Sequence, residues 1–176
     1  GLTGSNGKTT TKELIRAVLA EHFNVFATKG NLNNHIGVPL SILSIGKDIE
    51  IAVIEMGANH QKEIELLCSI AQPTHGLISN VGMAHLEGFG GFEGVKKGKA
   101  ELYAYLSANN GFVFINAANA DLMEMVSKSA AKNIIRYNVT EPKAVHGVLK
   151  NSDPLIDFEW TFEGNTHTAK ANLTGT

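Results

Sequence analysis

The chain holds a single cysteine, Cys68, in 176 residues. A lone thiol excludes an internal disulfide and the clustered cysteines of a structural zinc site. Cys68 shares an apolar stripe with Ile64, Leu67 and Ala71, which assigns it to a core. No apolar run approaches the length needed to cross a bilayer, and no signal peptide or anchor is visible. Excess charge of one sign is lacking too: 15 Lys and Arg against 17 Asp and Glu leave a formal net charge of −2, which offers no basic surface to nucleic acid. Internal repeats and low-complexity tracts are absent. What remains is the composition of a soluble, cytoplasmic globular domain, long enough for one α/β unit with its own core. It is expected to be a monomer, with neither a membrane nor nucleic acid as partner.

What the chain does have is glycine set beside Lys-Thr at its start, Gly-Leu-Thr-Gly-Ser-Asn-Gly-Lys-Thr-Thr from Gly1 to Thr10. Such a turn lets backbone N–H groups converge on phosphate oxygens at the positive end of the following helix. Gly4, Ser5, Asn6, Gly7, Lys8, Thr9 and Thr10 would form the cradle. Lys8 would reach the outer phosphates, and the Thr9 hydroxyl would sit on a magnesium ion bridging them. The alternative is a Gly/Asn turn that merely caps a helix, and Leu2 stands where the common consensus has glycine. A helix does follow: Leu14, Ile15, Val18 and Leu19 recur at helical spacing, with Lys12, Glu13, Arg16 and Glu21 assigned to the other faces. The buried strand that should precede the loop is missing, which reads as an excised piece of a longer protein.

Further along, strand and helix patterns alternate as a parallel sheet requires. Strands are expected at Val25–Thr28, Ile51–Met56, Leu77–Val81, Phe112–Ile115 and Ile134–Asn138. An apolar segment runs from Val38 to Ile45. Helices are expected at Gln61–Ala71, Gly94–Ser107 and Ala120–Ala130, with a long loop from Val81 to Gly94. Near the end, Ile156, Phe158, Trp160 and Phe162 alternate with polar residues, and Glu163-Gly164-Asn165 reads as a turn into a strand from Thr166 to Asn172. The fold class is therefore a mostly parallel sheet of phosphate-loop type flanked by helices, with an antiparallel hairpin appended near the C-terminus.

Ligands of open α/β sheets collect at the carboxyl ends of the strands. Glu55 closes the strand Ile-Ala-Val-Ile, where a carboxylate either anchors magnesium or caps the next helix. Asn80 ends the next strand, and His85 lies in the loop beyond it. On the helix from Gly94, Lys99 falls on the same face as Val95 and Leu102, while Lys96 and Lys97 point elsewhere and Lys97 can pair with Glu101. A partly buried lysine is costly unless paired or chemically changed. From spacing alone, snorkelling of the ammonium to solvent is the simpler story.

Four motifs in order change that weighing: Gly4-Ser-Asn-Gly-Lys-Thr-Thr-Thr-Lys-Glu13, Gly30-Asn-Leu-Asn-Asn-His-Ile-Gly-Val-Pro39, Glu55-Met-Gly-Ala-Asn-His60 and Asn80-Val-Gly-Met-Ala-His-Leu-Glu-Gly-Phe-Gly90. Together they resemble the Mur ligases of bacterial cell-wall synthesis, over nearly the whole chain. The resemblance implies the central ATPase domain, residues 1–176, of a three-domain enzyme, with an amino-terminal UDP-sugar domain and a carboxy-terminal closing domain outside this chain. The likeness is greatest to the member that joins D-alanyl-D-alanine to UDP-N-acetylmuramoyl-tripeptide, with ATP and two magnesium ions, through an acyl phosphate. By the same resemblance Thr9 and Glu55 hold the first ion, and His85 and Lys99 the second, Lys99 as a carbamate. Asn116 matches a position near adenine, and Asn34 a nucleotide-side contact.

The chain departs from the family pattern in places. Ala100 stands where relatives have glycine between the lysine and Glu101, which leaves Lys96 and Lys97 as competitors for the carbamate. Ala118, Asn119 and Asp121 replace paired aspartates after Asn116, and His35 replaces an aspartate. Two other functions are weighed against this one. Another ligase of the same superfamily, such as a folylpolyglutamate synthase, is disfavoured by Asn31–Asn34 and by Glu55-Met-Gly-Ala. A non-catalytic nucleotide-binding module is disfavoured by Glu55, His85 and Lys99 occurring together.

Overall fold

The computed structural model describes residues 1–83, 85–139 and 144–172. In chain order the elements are β1 (Leu2–Thr3), α1 (Lys8–Leu19), β2 (Val25–Ala27), α2 (Gly37–Leu43), β3 (Ile51–Val53), α3 (Glu63–Ala71), β4 (His75–Ile78), α4 (Leu86–Phe89), α5 (Phe92–Ala108), β5 (Phe112–Asn116), α6 (Ala120–Ser127), β6 (Asn133–Tyr137), β7 (His146–Asn151), β8 (Ile156–Phe162) and β9 (Asn165–Ala171). The strand expected before the phosphate loop is present in short form, because Leu2 and Thr3 are buried and pair in parallel with Leu77 and Ile78.

Strands β1, β4, β5 and β6 form one parallel sheet in the order β1-β4-β5-β6, and β2 pairs in parallel with β3. A parallel bridge between Leu2 and Glu55 joins the two, with Leu2 N donating to Ile54 O at 2.9 Å and Met56 N to Leu2 O at 2.7 Å. The continuous order β2-β3-β1-β4-β5-β6 brings the end of β3 beside the start of the phosphate loop.

The apolar cluster draws on α3 (Ile64, Leu67, Cys68), α5 (Val95, Leu102, Tyr103, Leu106) and α6 (Leu122, Met125, Val126), packed on Ile54, Ile78, Val113 and Ile115 of the sheet. Each aliphatic side chain withdrawn from water there contributes roughly 1.5–3 kcal/mol. Cys68 lies in this cluster as expected, and burial pushes its thiol up to about 12.

Helix α1 departs from the sequence expectation. Val18 is 71% exposed and Leu14 43%, whereas Lys12, assigned to a polar face, is 0% exposed. The face turned to the sheet runs through Lys8, Lys12, Ile15 and Leu19, polar near the phosphate loop and apolar farther along. Hydropathy misjudges Lys12 because its ammonium finds acceptors inside, Thr28 O at 2.6 Å and Gly30 O at 3.3 Å.

Two other stretches also differ, and one that the sequence leaves without an element type gains one. The apolar segment from Val38 is largely helical as α2, with Pro39 in the first turn, where a missing N–H costs nothing. The stretch Val81–Gly94, read as loop, contains the one-turn helix α4 and the start of α5. The C-terminal hairpin is β8–β9, but β7 adds to it and the three strands form their own antiparallel sheet. A bridge from Tyr137 to Val145, with Asn138 N donating to Val145 O at 2.6 Å, leads into that sheet from the edge of the parallel one.

Candidate functional site

The phosphate loop connects β1 to α1 through two glycines with left-handed backbone, Gly4 at φ +151° and Gly7 at φ +73°. A side chain at Gly4 would also collide with that of Ser79. The loop is stitched to the end of β4. Ser5 N donates to Asn80 O at 3.1 Å, Asn6 N to Asn80 Oδ1 at 2.9 Å, and Ser79 Oγ to Asn6 O at 2.8 Å. Ser5 Oγ accepts from Gly82 N at 2.9 Å. Two N–H groups of the expected cradle, on Ser5 and Asn6, are therefore spent on shaping it. The free donors come from the first turn of α1, Lys8 to Thr10, where no intrahelical acceptor exists and no side chain caps the helix. Lys8 Nζ curls over the loop onto Gly4 O at 2.9 Å and Ser5 O at 3.1 Å.

Glu55 stands across from α1, 1% exposed. Its Oε1 accepts from Asn33 Nδ2 at 2.7 Å and from Thr9 Oγ1 at 3.4 Å. Its Oε2 is buried without a hydrogen-bond partner, 3.8 Å from Lys12 Nζ. A buried carboxylate oxygen with no donor, on a side chain bonded to the phosphate-loop threonine, fits a magnesium ion that takes its remaining ligands from phosphate and water. Among the described residues no three His, Cys, Asp or Glu side chains converge, so a cation here would rely on such mixed donors.

A cleft of about 510 Å³ opens beside these groups, lined among others by Gly4, Ser5, Lys8, Asn34, His85 and Lys99. His85 precedes α4 in a left-handed conformation, φ 59°, with its residue exposed to the cleft. Lys99 is 2% exposed, with Nζ 5.5 Å from the centroid of the Phe89 ring. Gly98 lets that ring approach, since a Cβ there would overlap it. Burial, reinforced by the charge of Lys8, lowers the Lys99 pKa to about 8.

The three lysines of α5 differ in their surroundings. Lys96 points elsewhere than Lys99, as expected, but is buried, against Glu124, Asp121 at 3.2 Å and Glu93 at 3.4 Å. Its hydrogen bond to Glu124, opposed by burial and aided by Asp121 and Glu93, holds its pKa above the usual lysine range, so its amine stays protonated. Lys97 is exposed. Glu101, expected to pair with Lys97, instead accepts from the backbone N–H groups of Lys62 at 2.6 Å and Glu65 at 2.9 Å, capping α3.

The two asparagines lie apart. Asn34 lines the cleft, yet its Oδ1 accepts from Ile36 N at 3.1 Å and Gly37 N at 2.8 Å and so caps α2. Asn116 ends β5 on the same edge of the sheet, outside the cleft lining, with Oδ1 accepting from Ala118 N at 3.1 Å and Asn138 Nδ2 at 3.3 Å. Sequence reasoning missed Asn33 and Lys12, which touch Glu55. For Asn33 the signal was its place in the asparagine run; for Lys12 there was none.

Comparison with protein families matches residues 2–176 to the Mur ligase middle domain. The chain belongs to the Mur ligase family. Curated Mur ligase relatives include the UDP-N-acetylmuramoyl-tripeptide–D-alanyl-D-alanine ligase of Escherichia coli K12, 43% identical over 137 residues, which covers 78% of this chain and 30% of that protein. The same-named Bacillus subtilis 168 enzyme is 44% identical over 115 residues, 65% of this chain and 25% of its own length. Among solved structures, the MurF ligase of Thermotoga maritima in complex with ADP matches with a TM-score of 0.81 at 35% identity, covering 99% of this chain and 40% of that one. This Mur ligase chain thus spans about a third of the length of the relatives it matches.

Proposed function

We propose that this chain is the central ATP-binding domain of a cytoplasmic enzyme that joins D-alanyl-D-alanine to UDP-N-acetylmuramoyl-tripeptide in peptidoglycan precursor synthesis. The observation that carries the proposal is the buried Glu55 carboxylate bonded to Thr9 at the phosphate loop, with Lys99 and His85 lining the adjoining cleft. The names of the relatives, each an enzyme of that activity, support the substrates.

In this reading the γ-phosphoryl group of ATP passes to the terminal carboxylate of the tripeptide. The amine of D-alanyl-D-alanine then attacks the acyl phosphate, forming the amide bond and releasing phosphate. The first-turn N–H groups of α1 and the Lys8 ammonium would neutralise the phosphates, and Asn116 would stand near adenine. Two magnesium ions, when bound, would supply further charge neutralisation on the transferring group. Thr9 and Glu55 would hold one. His85 and Lys99 would hold the other, once the neutral Lys99 amine has added carbon dioxide and lost a proton. The lowered pKa of Lys99 supports that step, since only the neutral amine attacks. A plain nucleotide-binding module has no use for such a lysine.

The test is ADP release by the full-length protein given UDP-N-acetylmuramoyl-tripeptide, with and without D-alanyl-D-alanine. Release requiring both supports the ligase and its acceptor; release with neither, or none under any condition, refutes it.

A further inference from the structure

We infer that Asn33 is a positioning residue that sets the carboxylate of Glu55 for cation binding, an inference that rests on the phosphate-loop and magnesium reading above. Glu55 is buried, and its side chain has few restraints of its own. Backbone N of Glu55 donates to Thr28 Oγ1 at 3.0 Å, which fixes the main chain but not the carboxylate. The Asn33 amide supplies the shortest contact to the carboxylate, 2.7 Å to Oε1, against 3.4 Å from Thr9 and 3.8 Å from Lys12 to Oε2.

Asn33 is itself held from several sides. Its backbone N donates to Asn31 O at 2.7 Å, and its backbone O accepts from Gly57 N at 2.7 Å. The side chain rests against Gly57, where an added Cβ would lie 2.8 Å from Asn33 Oδ1 and 2.9 Å from Cγ. Lys12 ties the start of the same loop to α1 through Thr28 O and Gly30 O. The loop after β2 and the turn after β3 thus close on the amide and aim its N–H at one oxygen of Glu55. An amide N–H cannot bind a cation; it orients the ligand that does, as groups behind metal ligands commonly do.

The inference is tested in the full-length protein by calorimetric titration with ADP at stepped free Mg²⁺ and in EDTA. The unaltered protein is compared with Asn33→Ala and Gly57→Ala. Gly57→Ala keeps both Asn33 and Glu55 but pushes the amide aside. Both variants are expected to need about 10- to 100-fold more Mg²⁺ for the same gain in ADP affinity, with affinity in EDTA unchanged. A Mg²⁺ requirement left at the unaltered level in both variants overturns the inference. So does an equal loss of affinity with and without Mg²⁺, which would mark a structural role only. If the unaltered protein bound ADP without regard to Mg²⁺, the underlying metal reading would fall instead.

Discussion

The ammonium of Lys12 donates to the carbonyl of Thr28 at 2.6 Å and lies 3.8 Å from Glu55 Oε2, wholly inside the protein. A cation enclosed in this way shares its charge between the buried Glu55 and the exposed Glu13, whose Oε1 is 3.1 Å away, while tying the end of β2 to α1.

Replacing Lys12 by methionine should therefore be severe. The change leaves Thr28 O and Gly30 O without their donor and takes a cation from beside the buried Glu55 carboxylate, which keeps only its neutral donors Asn33 and Thr9. Breaking a buried pair by removing one partner costs about 3–5 kcal/mol. Chemical denaturation should record a loss of that size, while Arg16→Met, an exposed change beside Glu13, should stay near zero.

Lys99 should make stability depend on pH in a defined direction. Its pKa falls from 10.5 in the unfolded chain to about 8 in the folded one, so between those values the unfolded chain binds the proton and the folded chain does not. Stability accordingly rises as pH climbs from 8 towards 10.5, and the penalty is complete below 8. In carbon dioxide-free buffer, Lys99→Met should melt higher than the unaltered protein at pH 7, by a margin equivalent to at most about 3 kcal/mol. The margin should close as pH approaches 10.5.

Labelled bicarbonate offers a direct view of the proposed carbamate. A ¹³C carbamate resonance should appear in the unaltered protein, disappear in Lys99→Met and persist in Lys97→Ala, because Lys97 is exposed and lies outside the cleft lining. A signal lost with Lys97 instead would move the modification to the exposed side of α5.

Glu101 tests whether α3 is held from outside. Its two oxygens take the N–H groups of Lys62 and Glu65, which have no acceptor within the helix. Glu101→Ala should cost about 1–2 kcal/mol in denaturant titrations, the usual worth of a capping side chain. Ala at Lys97, its expected partner, should cost almost nothing.

The α/β order was legible because strands of a parallel sheet read as short continuous apolar runs, as Ile51–Ile54 and Phe112–Ile115 do. The phosphate loop was legible because glycine, lysine and threonine stand at short, fixed offsets. Lys12 was not, since a hydropathy pattern has no knowledge of the carbonyls of Thr28 and Gly30 that receive it. Helix α4 escaped notice because one turn containing Gly88 carries no periodicity. Strand β7 did so because Gly147 and Lys150 interrupt its alternation. Asn80 marked a strand end in the sequence, but its grip on Asn6 spans 74 positions and is visible only in the fold.

That grip has a thermodynamic meaning. With Ser5 and Asn6 tied to Asn80, the shape of the loop is settled when the chain folds, before any phosphate arrives. The entropy of ordering it is then charged to folding rather than to association, and a nucleotide meets a preorganised surface. Part of the affinity of the loop thus resides just past β4, on the far side of three intervening helices in the sequence.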